Sequence, residues 1–413
     1  MRAVVGNQPV RLRFCAGRCL ARGMSAGMVG FLALGMGLAI AALAPMASAL
    51  AGVPDAAPAV AAPVASTAQD PDKLSVKLGG FIDADYLYDL NRPAGLDRAL
   101  ANGNLYATTA ERSNEFGINL AFLDAKVSSE RVRGRLALQF GTSVQATYRG
   151  ENAGLGVIQG AVPAELIQEA VVGYRVADGL WVDGGIFFSH LGFENFISRD
   201  NWVYTRSLVA ELSPYYESGV KVTYQPSALW TVQFLIINGW QNIYETNTSK
   251  SVGLDLSYSP TDGAELTYNN YFGIEPGGLV RFYNELIGRI SVGQAVQVAL
   301  TLDLGSQNKS GGAGTSVWYG GALLARYQLT ERLALGGRLE RFSDGDGVVV
   351  TTGTPNGFAV SGVSVNLDAQ LHKNLLWRNE ARLLLSDQDA IFAGLSGPLV
   401  TDKFLVTSVG LSF

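Results

Sequence analysis

The chain ends on Lys403-Phe404-Leu405-Val406-Thr407-Ser408-Val409-Gly410-Leu411-Ser412-Phe413, which alternates with a period of two. One face carries Leu405, Thr407, Val409, Leu411 and Phe413, and the other carries Phe404, Val406, Ser408, Gly410 and Ser412. Successive side chains of a β-strand point to opposite faces. An alternating segment of about ten residues that stops on an aromatic is typical of the closing strand of an outer-membrane β-barrel. We therefore predict an all-β fold, a transmembrane antiparallel β-barrel.

Alternating segments recur from residue 74 to the C terminus. The first, Leu74–Leu90, collects apolar side chains on one face and Asp83 and Asp85 on the other, and a third strand is predicted over Arg133–Thr147. The pattern predicts about 16 strands, with 14 or 18 as alternatives, joined alternately by short turns and longer loops. Short turns face the periplasm in such barrels and long loops face outwards. An even number of strands places both ends of the barrel chain on the periplasmic side, beside each other.

Composition favours one barrel over two or three soluble domains. The chain has 413 residues, of which 48% are hydrophobic, only 16% are charged and 49 are Gly. After residue 49 it has no run of about 18 apolar residues, the length that predicts a transmembrane helix. Closing a sheet allows every backbone group of such a chain to be paired in a membrane.

Residues 1–49 have the pattern of a cleaved signal peptide. A segment with five arginines precedes the apolar stretch 24–43, and Ala47-Ser48-Ala49 provides a cleavage site. A retained membrane anchor is the alternative. Residues 50–73 are rich in Ala and Pro and are predicted to form a disordered periplasmic leader, with a plug or a peptidoglycan tether as alternatives. Residues 74–413 form the predicted barrel.

Cleavage would change the charge and the cysteine content. Cys15 and Cys19 leave with the signal peptide, so no disulfide is expected. Lys+Arg falls from 31 to 26 with the loss of five arginines, against 36 Asp+Glu, a net charge of −10. This acidic balance argues against nucleic acid as a partner.

The expected partners are outer-membrane lipid and lipopolysaccharide, the outer-membrane assembly machinery and small hydrophilic solutes. A homotrimer is compatible with the size, and no cofactor is predicted.

Charged residues of both signs occupy the inward positions of the predicted strands. They include Asp83, Asp85, Lys221, Arg338, Glu340, Arg378, Glu380 and Arg382. A barrel of about 16 strands is too wide for side chains to fill, so we expect this wall to enclose water. The alternative is that these residues only solvate the lumen and pair across it. No ladder of Arg or Lys marks a strongly anion-selective path.

The third long loop, residues 190–213, is dense in aromatic and charged side chains. We interpret it as a constriction folded into the pore, with an extracellular lid as the alternative. The candidate residues for constriction and selectivity are Glu194, Arg199, Asp200, Trp202, Tyr204 and Arg206.

This region resembles the OmpL-like β-barrel porin family. The matching elements are Gly192-x-Glu194, Ser198-x-Asp200-Asn201-Trp202-x-Tyr204-x-Arg206-Ser207, Pro214-Tyr215-Tyr216-x-x-Gly219-Val220 and Asn238-Gly239-Trp240. The resemblance implies an outer-membrane porin, and it implies that the terminal Phe413 acts as an assembly signal. The expected function is passive diffusion of small hydrophilic solutes through a barrel narrowed by the 190–213 loop. The alternative is an occluded, non-conducting structural or adhesive barrel.

Catalysis and metal binding have weak support. Nucleophilic catalysis needs a serine within reach of a base. Beyond the signal peptide the only histidines are His190 and His372. Ser189 precedes His190, but neighbours in a strand point to opposite faces. The segment Asp344-Gly345-Asp346-Gly347 resembles a calcium loop without its later ligands, and we interpret it as a plain loop tip.

Overall fold

The computed structural model describes residues 73–151, 164–312 and 314–413. The predicted signal peptide, and the predicted leader apart from Lys73, lie outside these residues. The strands are β1 (Ser75–Asp89), β2 (Glu115–Ser128), β3 (Val132–Phe140), β4 (Ile167–Ala177), β5 (Leu180–Phe188), β6 (Tyr216–Ser227), β7 (Trp230–Ile237), β8 (Ser251–Thr261), β9 (Ala264–Glu275), β10 (Leu279–Val292), β11 (Val296–Asn308), β12 (Thr315–Gln328), β13 (Leu333–Asp344), β14 (Phe358–His372), β15 (Leu375–Ser386) and β16 (Thr401–Ser412).

These strands form one closed antiparallel barrel in which each strand pairs with its neighbours in sequence and β1 pairs with β16. The closing register places Phe81 opposite Ser412 and Asp85 opposite Ser408. Beyond the last paired residue, the backbone N–H of Gly80 donates to the Phe413 carbonyl at 3.0 Å, and that of Phe413 donates to the Gly80 carbonyl at 3.2 Å. The predicted fold class and the pairing of the first strand with the last are confirmed.

The two faces of β16 have the exposures that its alternation predicts. Leu405 is 52% exposed on the outer surface, whereas Phe404 and Ser408 are buried on the inner one. Trp230 and Trp377 also lie on the outer surface, as an interfacial position requires. Trp181 and Trp240 lie inside instead, under the guanidinium groups of arginines. Although all four tryptophans lie near strand ends, where an outer aromatic girdle would be expected, these two do not belong to one.

Among the described residues, two short helices interrupt the β structure, α1 (Thr142–Thr147) and α2 (Leu208–Glu211). The third strand was predicted to continue to Thr147, but β3 ends at Phe140. Gly141 then adopts a φ of 139°, which favours glycine and turns the chain into α1. Three-residue 3-10 turns lie at Ala164–Leu166, Ser198–Asp200 and Ser310–Gly312. In the described ranges, the helices are too short or too polar to cross a membrane.

Short turns and long loops alternate along the chain as predicted, with one exception. On one side of the barrel the turns have two to four residues, and on the other most connections are long. The exception is the β9–β10 connection on the long-loop side, which consists only of Pro276-Gly277-Gly278. Gly277 and Gly278 have φ values of 84° and 76°, which allow a tight reversal that other residues rarely adopt.

The interior is not uniformly polar, which corrects the expectation of a polar wall enclosing water. A large apolar cluster lies inside the barrel on the side of β7–β15. Strand residues in it include Leu235, Tyr271, Tyr283, Trp318, Phe342, Phe358 and Leu384, and connections add Leu100, Tyr106, Leu191, Leu208, Val209, Val350 and Phe392. Burial of apolar surface stabilises such a cluster in proportion to its area. Several connections on the long-loop side therefore pack on the barrel interior.

Candidate functional site

The candidate site is built around the connection between β5 and β6, residues 189–215, which we call the inner loop. It contains the Gly192–Ser207 part of the family resemblance, the 3-10 turn Ser198–Asp200 and α2. Its residues contact inward-facing side chains of strands on both sides of the barrel closure.

Three inward-facing glycines in the wall leave space for the inner loop. A Cβ at Gly253 of β8 would lie 2.6 Å from the His190 ring, and one at Gly320 of β12 would lie 2.6 Å from Val209. A Cβ at Gly336 of β13 would overlap the Trp202 carbonyl oxygen. Since real side chains do not approach this closely, any larger residue would displace the inner loop.

The first end of the inner loop is held by a buried histidine. Nδ1 of His190 lies 3.0 Å from a Glu217 carboxylate oxygen, and its Nε2 lies 2.7 Å from the Asn270 carbonyl oxygen. Burial lowers the pKa of His190, but the charge of Glu217 and the two hydrogen bonds outweigh burial and raise the pKa above its ordinary value. Both ring nitrogens face acceptors, so the imidazolium form satisfies the site.

Ser189 and His190 reach the same carboxylate, contrary to the expectation that they point to opposite faces. Both lie beyond the end of β5, where strand alternation no longer applies. The Ser189 hydroxyl donates to Glu217 at 3.0 Å and makes no bond to His190. The histidine is thus engaged by acceptors on both nitrogens and cannot take a proton from Ser189.

The middle of the inner loop is attached to β1 and β15. One carboxylate oxygen of Asp83 accepts hydrogen bonds from Ser198 at 2.7 Å, from Asn119 at 2.9 Å and from Tyr204 at 3.2 Å. Arg378 donates to the Ser198 carbonyl at 2.5 Å and forms an ion pair with Asp368 at 2.7 Å. This segment is therefore bound to two strands that are close to the barrel closure.

A buried charge network holds the next segment to β13 and β15. Arg338 lies within 3.2–3.5 Å of carboxylate oxygens of Glu194, Glu340 and Glu380, and Arg382 lies 2.8 Å from Glu340. All five side chains are almost completely buried. Burial raises the pKa of Glu194 above its ordinary value, although the charge of Arg338 opposes the rise.

Backbone groups of the inner loop complete this network. Thr205 donates from its N–H to Glu380 at 2.7 Å, and Leu208 donates from its N–H to Glu340 at 2.7 Å. The Ser207 N–H donates to Glu194 at 2.8 Å. Hydrogen bonds to ionised groups are stronger than those between neutral groups, so these three fix the backbone that leads into α2.

Arg206 belongs to the packing of the inner loop. Its guanidinium lies 3.4 Å from Glu211 and over the ring of Tyr215, 4.1 Å from its centroid. It also donates to Thr108 of the β1–β2 connection. Burial lowers the pKa of Arg206, but the charge of Glu211, its hydrogen bond and the neighbouring Tyr215 and Glu194 together outweigh burial and raise the pKa, so the group stays charged.

The predicted candidates thus fall into two groups. Glu194, Tyr204 and Arg206 are buried and bonded within the structure. Arg199, Asp200 and Trp202 keep part of their surface exposed, and Arg199 reaches Ser412 at 2.7 Å.

Seven of the eight predicted inward-facing charges are buried against neighbouring groups, namely Asp83, Asp85, Arg338, Glu340, Arg378, Glu380 and Arg382. The exception is Lys221, which is half-buried and lies 4.6 Å from the centroid of the Phe187 ring. Most of these charges therefore anchor connections, and few of them face open space.

Strand alternation alone does not predict the contacts of the inner loop with glycines and apolar side chains of the barrel wall. The sequence signals for these contacts were the inward-facing glycines and the apolar side chains that interrupt the polar inner face, such as Trp318.

Asp344, part of the calcium-loop resemblance, accepts three backbone N–H groups from Val348, Val349 and Val350 at 2.6–3.0 Å. The carboxylate therefore caps a turn. Across the described residues, no group of three or more His, Cys, Asp or Glu is arranged to hold a metal ion.

A closed barrel of sixteen antiparallel strands, with a connection against its inner wall, is typical of the porin class of outer-membrane proteins. A family model described as "Putative beta-barrel porin-2, OmpL-like" matches residues 75–413. The chain belongs to this family. The family and the fold point to a channel rather than an enzyme and imply an outer-membrane location.

Solved structures of low sequence identity share the fold. The anion-selective porin from Comamonas acidovorans has 11% identity and a TM-score of 0.52 over 83% of this chain and 100% of its own. The outer membrane channel DcaP of Acinetobacter baumannii has 10% identity and a TM-score of 0.52 over 84% and 99%. OmpT of Vibrio cholerae, in its trimer form, has 8% identity and a TM-score of 0.51 over 83% and 100%. No curated protein sequence matches the chain.

Proposed function

We propose that this porin allows passive diffusion of small hydrophilic solutes through its barrel, and that the inner loop narrows the path. The observation that carries the proposal is the attachment of the inner loop to inward-facing residues of β1, β6, β13 and β15. A segment bound in this way reduces the cross-section available to solutes.

Charge distribution supports a hydrophilic path. Arg133, Arg289 and Lys221 lie at inward-facing positions of strands and are only partly buried. Arg133 pairs with Asp183, and Arg289 pairs with Glu265 at 2.8 Å. Both signs of charge are therefore present next to solvent, which suits polar solutes of either sign. A homotrimer is part of the proposal, and it rests on the trimeric form of one porin of the same fold.

A second candidate function is an occluded structural barrel. The observation that favours it is the apolar cluster, to which Leu100, Val350 and Phe392 of three further connections contribute. Together with the inner loop, these connections cover part of the barrel on the long-loop side.

Planar-bilayer recording with the purified protein tests both functions. We expect stepwise conductance from the wild type, and a larger step after the inner loop is replaced by a short glycine-serine linker. Complete absence of steps in both proteins would refute the porin proposal. Steps that occur only after the replacement would favour the occluded barrel.

A further inference from the structure

A cavity of about 340 Å³ lies between the inner loop and strands β8–β10. Phe193 and Trp202 line it from the inner loop, and Asp255, Thr267 and Asn269 line it from the wall. Its volume is within the range of small-molecule sites, which combine apolar surface with a few placed polar groups.

Asp255 is a buried carboxylate that has no cationic partner within ion-pair distance among the described residues. Its one side-chain hydrogen bond comes from Ser257 at 3.2 Å. The two cations that line the cavity form their ion pairs elsewhere, His190 with Glu217 and Arg289 with Glu265, although the charge of His190 also acts on Asp255 from a longer distance. A buried charge that lacks a partner is costly, so the site favours an added positive charge.

Asn269 provides a second, independent observation. It is 1% exposed and lies directly opposite Asp255 in the β8–β9 register. Its amide nitrogen donates to Glu285 at 2.9 Å, which directs its oxygen away from that carboxylate. No donor in the described part of the chain reaches that oxygen, although it is fully buried. The cavity wall therefore holds a carboxylate without an ion-pair partner and, opposite it, a buried amide oxygen without a donor.

The aromatic side chains distinguish an organic cation from an inorganic one. Phe193 and Trp202 pack edge to face with ring centroids 5.2 Å apart, and both line the cavity. Aromatic rings stabilise alkyl chains by burial and cations by their negative faces. The described residues include no cluster suited to a metal ion.

We infer that this cavity is a binding site for a primary alkylammonium group. The ammonium donates to the Asp255 carboxylate, its charge compensates the nearby Asn269 oxygen that lacks a donor, and the alkyl chain lies against Trp202 and Phe193. This inference deepens the proposed function, on which it rests for its biological meaning, because it names a solute class that the path would retain.

Titration calorimetry of the detergent-folded wild type with n-butylammonium tests the site. We expect saturable binding, no binding of n-butanol, and binding of ammonium at least tenfold weaker. Asp255→Asn and Asn269→Leu should each weaken n-butylammonium binding at least tenfold. Asp178→Asn, which changes a fully exposed turn carboxylate, should leave binding unchanged.

Absence of n-butylammonium binding to the folded wild type would overturn the inference, as would equal binding by both folded cavity variants. Equal affinity for ammonium and n-butylammonium would overturn the role of the aromatic rings. Binding without conductance would refute the porin proposal alone, and conductance without binding would refute this inference alone.

Discussion

At the scale of single residues, the most consequential side chain is Arg338. It lies between Glu194 of the inner loop and two glutamates of the wall, and it is fully buried. Removing one member of a buried charge network leaves its partners uncompensated, which commonly costs about 3–5 kcal/mol.

We therefore expect Arg338→Met to release the inner loop locally and to increase its proteolytic cleavage in the folded barrel at least tenfold. Arg341→Met is the matched control, since Arg341 pairs with Asp387 at a partly exposed site. Exposed pairs contribute about 0–1 kcal/mol, so cleavage should be unchanged in the control. Equal cleavage in both variants would contradict the anchoring role of Arg338.

Glu111 in the β1–β2 connection makes stability depend on pH. Burial raises its pKa to about 8, although Arg149 opposes the rise. The folded protein therefore binds a proton that the unfolded chain releases at its ordinary pKa near 4.5. The free energy of unfolding therefore falls as the pH rises from about 4.5 to about 8, and it is constant above pH 8.

Glu111→Gln should be more stable than the wild type at pH 9 and equal to it at pH 4. Thermal unfolding at the two pH values checks this difference. Glu130→Gln, at a largely exposed turn position, should show the wild-type pH dependence. A Glu111→Gln variant with that same dependence would show that the buried carboxyl does not contribute.

Arg199 is the exposed charge of the inner loop most suited to influence ion selectivity. It lies on the loop surface beside Ser412, whereas Arg206 is enclosed. We expect Arg199→Glu to shift the reversal potential in a salt gradient towards cations. Arg131→Glu, in an exposed turn, should leave it unchanged. Identical reversal potentials in the two variants would place Arg199 outside the conduction path.

At the scale of elements, the fit between the inner loop and β13 depends on one glycine. Gly336 and Gly337 are adjacent in this strand and face opposite sides. A Cβ at Gly336 would overlap the Trp202 carbonyl, whereas one at Gly337 would lie 3.9 Å from its nearest neighbour.

Gly336→Val should therefore displace the inner loop and increase single-channel conductance, whereas Gly337→Val should conduct like the wild type. Both variants raise β propensity equally, so a general effect on the strand would appear in both. If Gly336→Val keeps the wild-type conductance, the inner loop does not limit the current.

At the scale of the whole molecule, barrel closure involves the terminal aromatic. Its ring lies over Gly80, where an added Cβ would be 2.5 Å from the ring. The proposed assembly signal predicts that Phe413→Ala reduces insertion into the outer membrane of cells while refolding into detergent remains near the wild-type yield. Leu411→Ala, on the same outer face, should insert normally. Equal loss in cells and in detergent would indicate a structural role for the ring instead.

The strand number, the closure and the inner and outer faces could be predicted because lipid imposes a period of two on every strand. In β16, for example, the apolar Leu405 faces outwards and the polar Ser408 faces the interior. The contacts that attach the inner loop to the barrel wall could not be predicted in the same way. The pairs of Glu194 with Arg338 and of Thr205 with Glu380 join residues more than 140 positions apart, and a single sequence contains no signal for which charges meet.

The contacts of the inner loop also favour an order of folding. Ser198 binds Arg378, and Thr205 binds Glu380, across separations of 180 and 175 residues. Contacts between distant residues form late because chain ordering must precede them. The inner loop is synthesised long before its partners in β13 and β15. It can therefore attach to the barrel wall only after the C-terminal third of the chain has joined the barrel. We therefore expect an assembling barrel to pass through a stage in which its interior is wider than in the finished protein.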